Sequence, residues 1–126
     1  MARQKTLTPT DKELARLTVL WDIGPATVRQ VHDRLSVTEK TGYTTTLKLM
    51  QIMTDKGLLV RSEERPHVYK PTVSEEKTQK QVIGDLLNKV FAGSAEKLVM
   101  RALSAKKVSP DELKRIRAML DKMEGA

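Results

Sequence analysis

A helix predicted from about Tyr43 to Lys56 carries four residues with the chemistry to read nucleic acid: Thr44, Thr45, Lys48 and Gln51. With Thr46, Met50 and Met53 turned inward, helped by Leu49, helical spacing leaves these four on the opposite face. Their types suit the major groove. Threonine methyls meet thymine methyls, the Gln51 amide pairs with adenine, and the Lys48 ammonium reaches guanine or phosphate. Taken alone, Thr44 and Thr45 suit a helix cap equally well, and Lys48 suits an ordinary surface position. The elements around them tip the balance toward base contact.

A second set, Arg61, Arg65 and His67, falls on a predicted hairpin, where such side chains lie along the phosphate backbone or place an arginine in the minor groove. Glu63 and Glu64 share that hairpin tip and repel phosphate, so its expected contribution is modest. Catalytic chemistry has no comparable support. The two histidines, His32 and His67, are far apart and lack His or Cys companions. No nucleophile elbow, phosphate-cradling glycine loop or H-E-x-x-H is present, so an enzyme is not expected. With no cysteine, disulfides, zinc-thiolate sites and thiol switching are excluded, and no metal or cofactor is expected.

The elements that must position these residues begin at Thr8-Pro9-Thr10-Asp11. That run offers Thr8 as N-cap, Pro9 in the first helical position and Asp11 as the capping-box acid. Leu14, Leu17, Leu20 and Trp21 then form one stripe, with Trp21 expected in the core, before Gly24-Pro25 stops the helix. Thr27 and Gln30 make a second capping-box pattern ahead of Val28, Val31 and Leu35, with His32 expected at the surface of that helix or helping to position a phosphate. Ser36 to Gly42 reads as a turn, and Gly57 follows the third helix where a C-terminal glycine belongs. Leu58 to Ser62 and Val68 to Lys70 read as two short strands. Three short helices followed by one hairpin is the order of a winged helix-turn-helix. Its second and third helices form the pair whose latter member enters the groove.

Beyond Pro71 the pattern changes. Ser74-Glu75-Glu76, Gly93-Ser94 and Ser109-Pro110-Asp111-Glu112 punctuate three further helices. Their apolar faces include Leu86, Leu87 and Val90, then Leu98, Val99 and Leu103, then Leu113, Ile116 and Leu120. So short a segment, without a disulfide or metal staple, is expected to bury these faces against a second copy. The fold class is therefore mainly α with a small β-hairpin. Residues 1–72 form a winged helix-turn-helix DNA-binding domain and residues 73–126 a helical dimerisation region.

Bulk properties agree without deciding. The formal charge is +7, which favours a polyanionic partner, but the surplus is spread almost evenly over the two regions. Only four residues are aromatic, so the core rests on aliphatic side chains and methionine. Met1 to Thr6 is polar and basic, and no window is apolar enough to span a bilayer, which points to a soluble cytoplasmic protein.

Several strings resemble the penicillinase-repressor family of the BlaI, MecI and CopY type. One runs from Leu7-Thr8-Pro9 to Trp21-Asp22-Ile23-Gly24-Pro25-Ala26-Thr27-Val28-Arg29-Gln30-Val31. The other is Gly42-Tyr43-Thr44-Thr45-Thr46-Leu47-Lys48-Leu49-Met50, with Lys56-Gly57-Leu58-Leu59 after it. The likeness covers nearly the whole chain and is most specific in its first 72 residues. It implies a homodimer that represses transcription by binding a palindromic operator in double-stranded DNA. It also implies release by an inducing signal, in which a membrane metalloprotease sensor acts upstream and the dimerisation region is cut. The bond cleaved in β-lactam-responsive members is Asn-Phe; here Arg101-Ala102 stands at that place. Copper-responsive members bind metal through cysteines, which this chain lacks. The competing reading from another class is a winged-helix protein-interaction adaptor without specific DNA binding, which the acidic hairpin tip keeps open.

Overall fold

Thr10, not Thr8, caps the first helix. The computed structural model describes residues 8–125; Ala126 and Met1 to Leu7, with the polar start of the chain read above, lie outside them. Helix α1 (Asp11–Ile23) opens with a full capping box two residues later than the sequence pattern predicts. The Thr10 hydroxyl accepts from the Glu13 backbone N–H at 3.2 Å, and Glu13 Oε1 accepts from the Thr10 N–H at 2.9 Å. Glu13 wins over Asp11 because it has a second partner. The Lys56 ammonium donates to its two carboxylate oxygens at 2.8 and 3.0 Å, tying α1 to the end of the third helix.

Helix α2 (Val28–Leu35) starts from the Thr27–Gln30 capping box that the sequence predicts, and α3 (Tyr43–Asp55) follows the intervening turn. Two glycines take positive φ where the helices end. Gly24 (φ 86°) returns its N–H to Leu20 O at 2.8 Å, and Gly57 (φ 88°) leads from α3 into the hairpin. Strands β1 (Leu59–Arg61) and β2 (Tyr69–Pro71) pair antiparallel, with Val60 opposite Lys70. β1 is one residue shorter at each end than the pattern predicts, and β2 keeps its predicted length but starts and ends one residue later. Leu58 spends its N–H on Met53 O, while Ser62 and Val68 already close the hairpin tip through the Ser62 hydroxyl. Ala26 exchanges two backbone hydrogen bonds with Tyr69, so the α1–α2 link acts as a third, one-residue strand beside the wing.

These elements enclose Leu17, Leu20, Val31, Met50, Met53, Leu58, Leu59 and Tyr69, each almost fully buried. At about 2 kcal/mol per buried aliphatic side chain, this cluster is the main support of three helices too short to stand alone. Trp21 packs against it half-buried and donates its indole N–H to Val73 O at 3.2 Å.

Glu13 gives the core a pH-dependent strut. Burial opposes its ionisation, but the Lys56 ammonium and the Thr10 N–H and hydroxyl outweigh that cost and hold its carboxyl below the usual 4.5. The pair's contribution is therefore full above the unfolded-state value and is lost as pH falls through the lower folded-state value. Glu13→Gln is expected to cost about 2 kcal/mol at neutral pH and progressively less under acid. Urea titrations of both proteins across the acid range check this, and a gap that stays constant with pH contradicts it.

The chain divides into two compact units within α4 (Glu75–Val90), one ending at Val82 and the other starting at Ile83. In the first unit Ser74 Oγ accepts from the Lys77 N–H, and Thr78 is buried. The second continues through α5 (Ala95–Ala105) and α6 (Pro110–Gly125); Ser109 caps α6 as the sequence predicts, and Ser94, read only as part of the break before α5, caps that helix too. None of its described residues is buried. Val90, Met100, Met119 and Met123 are each more than 60% exposed, which leaves this unit without a core of its own.

Candidate nucleic-acid interface

The outward face of α3 is polar because its inward face is fully used. Thr46, Met50 and Met53 are buried, and Thr44, Thr45, Lys48 and Gln51 all stand exposed on the other side. Gly42 occupies the N-cap and offers no side-chain oxygen, so the first turn of α3 has free N–H groups and the positive end of its dipole. No acidic residue lies in the first turn of α2 or α3.

The helix pair is held by a buried cation that the sequence pattern does not reveal. Arg16, wholly buried on α1, donates through Nη2 to Thr46 Oγ1 at 3.0 Å and to Thr41 Oγ1 at 3.4 Å. The same nitrogen lies 3.0 Å from Glu39 Oε2, and Nη1 donates to Lys12 O at 3.2 Å. One side chain thus fixes α1, the α2–α3 turn and the first turns of α3. Arg16 falls between the apolar positions of α1, where a charged residue ordinarily signals solvent.

The wing divides its charges between two depressions. Arg65 and His67 border a cleft of about 250 Å³ on the α3 side, together with Thr27, Val28 and Arg29 of the α2 start and Tyr43 and Leu47 of α3. Arg61 does not join them. It lines a separate depression with Pro25, Glu64 and Lys70. His67 is half-buried, with Nδ1 2.8 Å from Ser62 O and its ring edge-on to Tyr69. The cleft therefore gathers Arg65 and His67 beside Tyr43 and Leu47 of α3, while Thr44, Thr45, Lys48 and Gln51 lie outside its lining and Arg61 borders a different depression.

Two residues outside the sequence-derived set belong to the same cleft. The Arg29 guanidinium carbon sits 4.3 Å from the centroid of the Tyr43 ring, and His32 meets that ring edge-on with centroids 5.9 Å apart. His32 is thus half-buried against an aromatic partner, not free at the helix surface. An exposed Arg at the start of α2 and a Tyr beginning α3 were the available signals, but only the turn between them makes the two neighbours. Among the described residues, no group of three or more His, Asp or Glu is placed to hold a metal ion.

The sequence profile of the penicillinase-repressor family matches residues 9–122, nearly the entire chain. The chain belongs to the penicillinase-repressor family. Members of this family are transcriptional regulators, not enzymes. Among curated relatives, "Transcriptional regulator BlaI" of Mycobacterium tuberculosis, from strains CDC 1551 / Oshkosh and ATCC 25618 / H37Rv, is 29% identical over 117 residues. That alignment covers 90% of this chain and 83% of the relative. A MarR family protein from Bacillus stearothermophilus has a similar structure, with a TM-score of 0.50 and 20% identity over 94% of this chain and 77% of the other. This likeness bears on fold alone, and it agrees with the helix order and hairpin of the penicillinase-repressor chain described above. No helix among its described residues is long and apolar enough to cross a membrane.

Proposed function

We propose that the protein is a homodimeric repressor whose two winged helices read the halves of a palindromic operator. The observation that carries this reading is the exposed Thr44, Thr45, Lys48 and Gln51 face on an α3 whose N-terminus is uncapped and free of acids. Base edges in the major groove need donors, acceptors and methyl groups on a protruding helix, and α3 supplies all three. The second unit supports the dimer. Leu86, Leu87, Leu98, Leu103 and Ile116 are only half-buried within one chain, and Val90, Val99, Leu113 and Leu120 are exposed. A second copy covers such faces, and tethering two reading heads raises affinity without any new DNA contact. Arg101 and Ala102 are both exposed on α5. Proteolysis there, triggered by a membrane metalloprotease sensor, breaks the helix that the dimer needs and releases the operator.

The test is fluorescence anisotropy with the protein's own upstream DNA against a shuffled duplex. The wild type is expected to prefer the native sequence strongly. Thr45→Ala and Lys48→Ala should each cost about 1–3 kcal/mol on that sequence and much less on the shuffled one. Equal losses on both duplexes would demote these side chains to nonspecific contacts. Failure to bind either duplex at low salt would bring forward a protein-docking role for the winged helix.

A further inference from the structure

We propose that the cleft between the first turns of α2 and α3 and the wing seats one backbone phosphate of the DNA, with Arg29 as its principal cation and Tyr43 as the plate that holds Arg29 ready. The proposal rests on the DNA-binding reading above and names a contact that the reading does not contain.

Arg29 is exposed and forms no ion pair among the described residues, yet it is not a loose surface side chain. Its guanidinium lies over the Tyr43 ring at 4.3 Å, and His32 braces that ring from its edge. Stacking uses the flat face of a guanidinium and leaves its N–H donors free around the rim. A phosphate accepts two such donors in the guanidinium plane, so the side chain is presented with part of its ordering cost already met. Arg65 stands on the far wall of the cleft, the start of α2 adds the positive end of a helix dipole, and no acid lines the space. Glu64, the nearest carboxylate in sequence to Arg65, lines the separate depression with Arg61 and Lys70. At about 250 Å³ the cleft is below the size that encloses a drug-sized ligand, and its lining includes Tyr43 and Leu47 of α3.

The experiment measures binding of a fluorescein-labelled random-sequence duplex over a range of salt concentrations, so that base recognition is not involved. Arg29→Ala is expected to weaken low-salt binding about tenfold and to lower the slope of log affinity against log salt by about 0.9, the value for one lost phosphate contact. Arg29→Lys keeps the charge but neither the plane nor the fork, so the slope should return while part of the affinity stays lost. Arg65→Ala should lower the slope by a similar amount. Tyr43→Phe, which keeps the plate, should behave as wild type. Arg29 is exposed, so its replacement leaves folding intact, and a matching thermal melt confirms that. Inorganic phosphate at constant ionic strength should not displace the duplex; displacement would assign the cleft to a free anion and overturn the proposal. An Arg29→Ala protein with unchanged slope overturns it too, while duplex binding by the wild type leaves the repressor reading standing. If the wild type binds no duplex at all, both readings fall together.

Discussion

Arg16→Ala is expected to remove about 3–4 kcal/mol of folding stability, as much as truncating a fully buried apolar side chain of the core. The guanidinium is completely buried, and its removal strands three groups at once. Thr46 loses a partner inside the core, Thr41 loses one in the turn, and the Glu39 carboxylate loses its counter-charge. A cavity the size of the missing side chain adds to the cost. For a domain of this size, each kcal/mol shifts the melting temperature by roughly 4–8 °C, so the change is readable by calorimetry and by urea titration. Arg16→Met separates the two contributions because it fills the space but leaves Glu39 unpaired. Pairing it with Glu39→Gln should restore part of the stability, since the unpaired charge is then gone. A loss under about 1 kcal/mol for Arg16→Ala would mean that the helix pair is held by its apolar contacts alone.

Ile116→Asp carries the other large expected effect. Ile116 is half-buried in the middle of α6, with Leu113 and Leu120 one turn to either side and both exposed. If these faces join two copies, one carboxylate at their centre must be desolvated without a partner, and the dimer should dissociate. Operator affinity should then fall by about 10²–10⁴-fold, because each winged helix binds without the benefit of its tethered twin. Binding per half-site should be unchanged. Sedimentation velocity reads the first effect and anisotropy on full and half operators reads the second. A variant that remains dimeric removes α6 from the interface.

The sequence made the helix order legible because the apolar stripes of α1, α2 and α3 repeat cleanly and Thr27, Gly24 and Gly57 punctuate them where the chain turns. It misplaced the start of α1 because Thr8 and Thr10 are both plausible caps by local pattern. The choice is made by Lys56, which is distant in sequence and draws Glu13 into place. Arg16 was hidden for the same reason: nothing local says that Thr41, Glu39 and Thr46 converge on it. The outward set on α3 followed from helical spacing alone. The wing did not, because Arg61 and Arg65 read alike by local pattern and only the folded hairpin assigns them to different depressions.

That division bears on what a polyanion meets at the wing. Glu64 and Arg65 are adjacent in the chain but line different depressions. At the cleft beside α3, the lining offers the cations of Arg29 and Arg65 and no carboxylate. At the second depression it is a mixed field, in which Glu64 stands among Arg61 and Lys70. The hairpin thus acts as an electrostatic sorter: the place of contact decides what an arriving anion meets, while the net charge of the tip stays close to neutral.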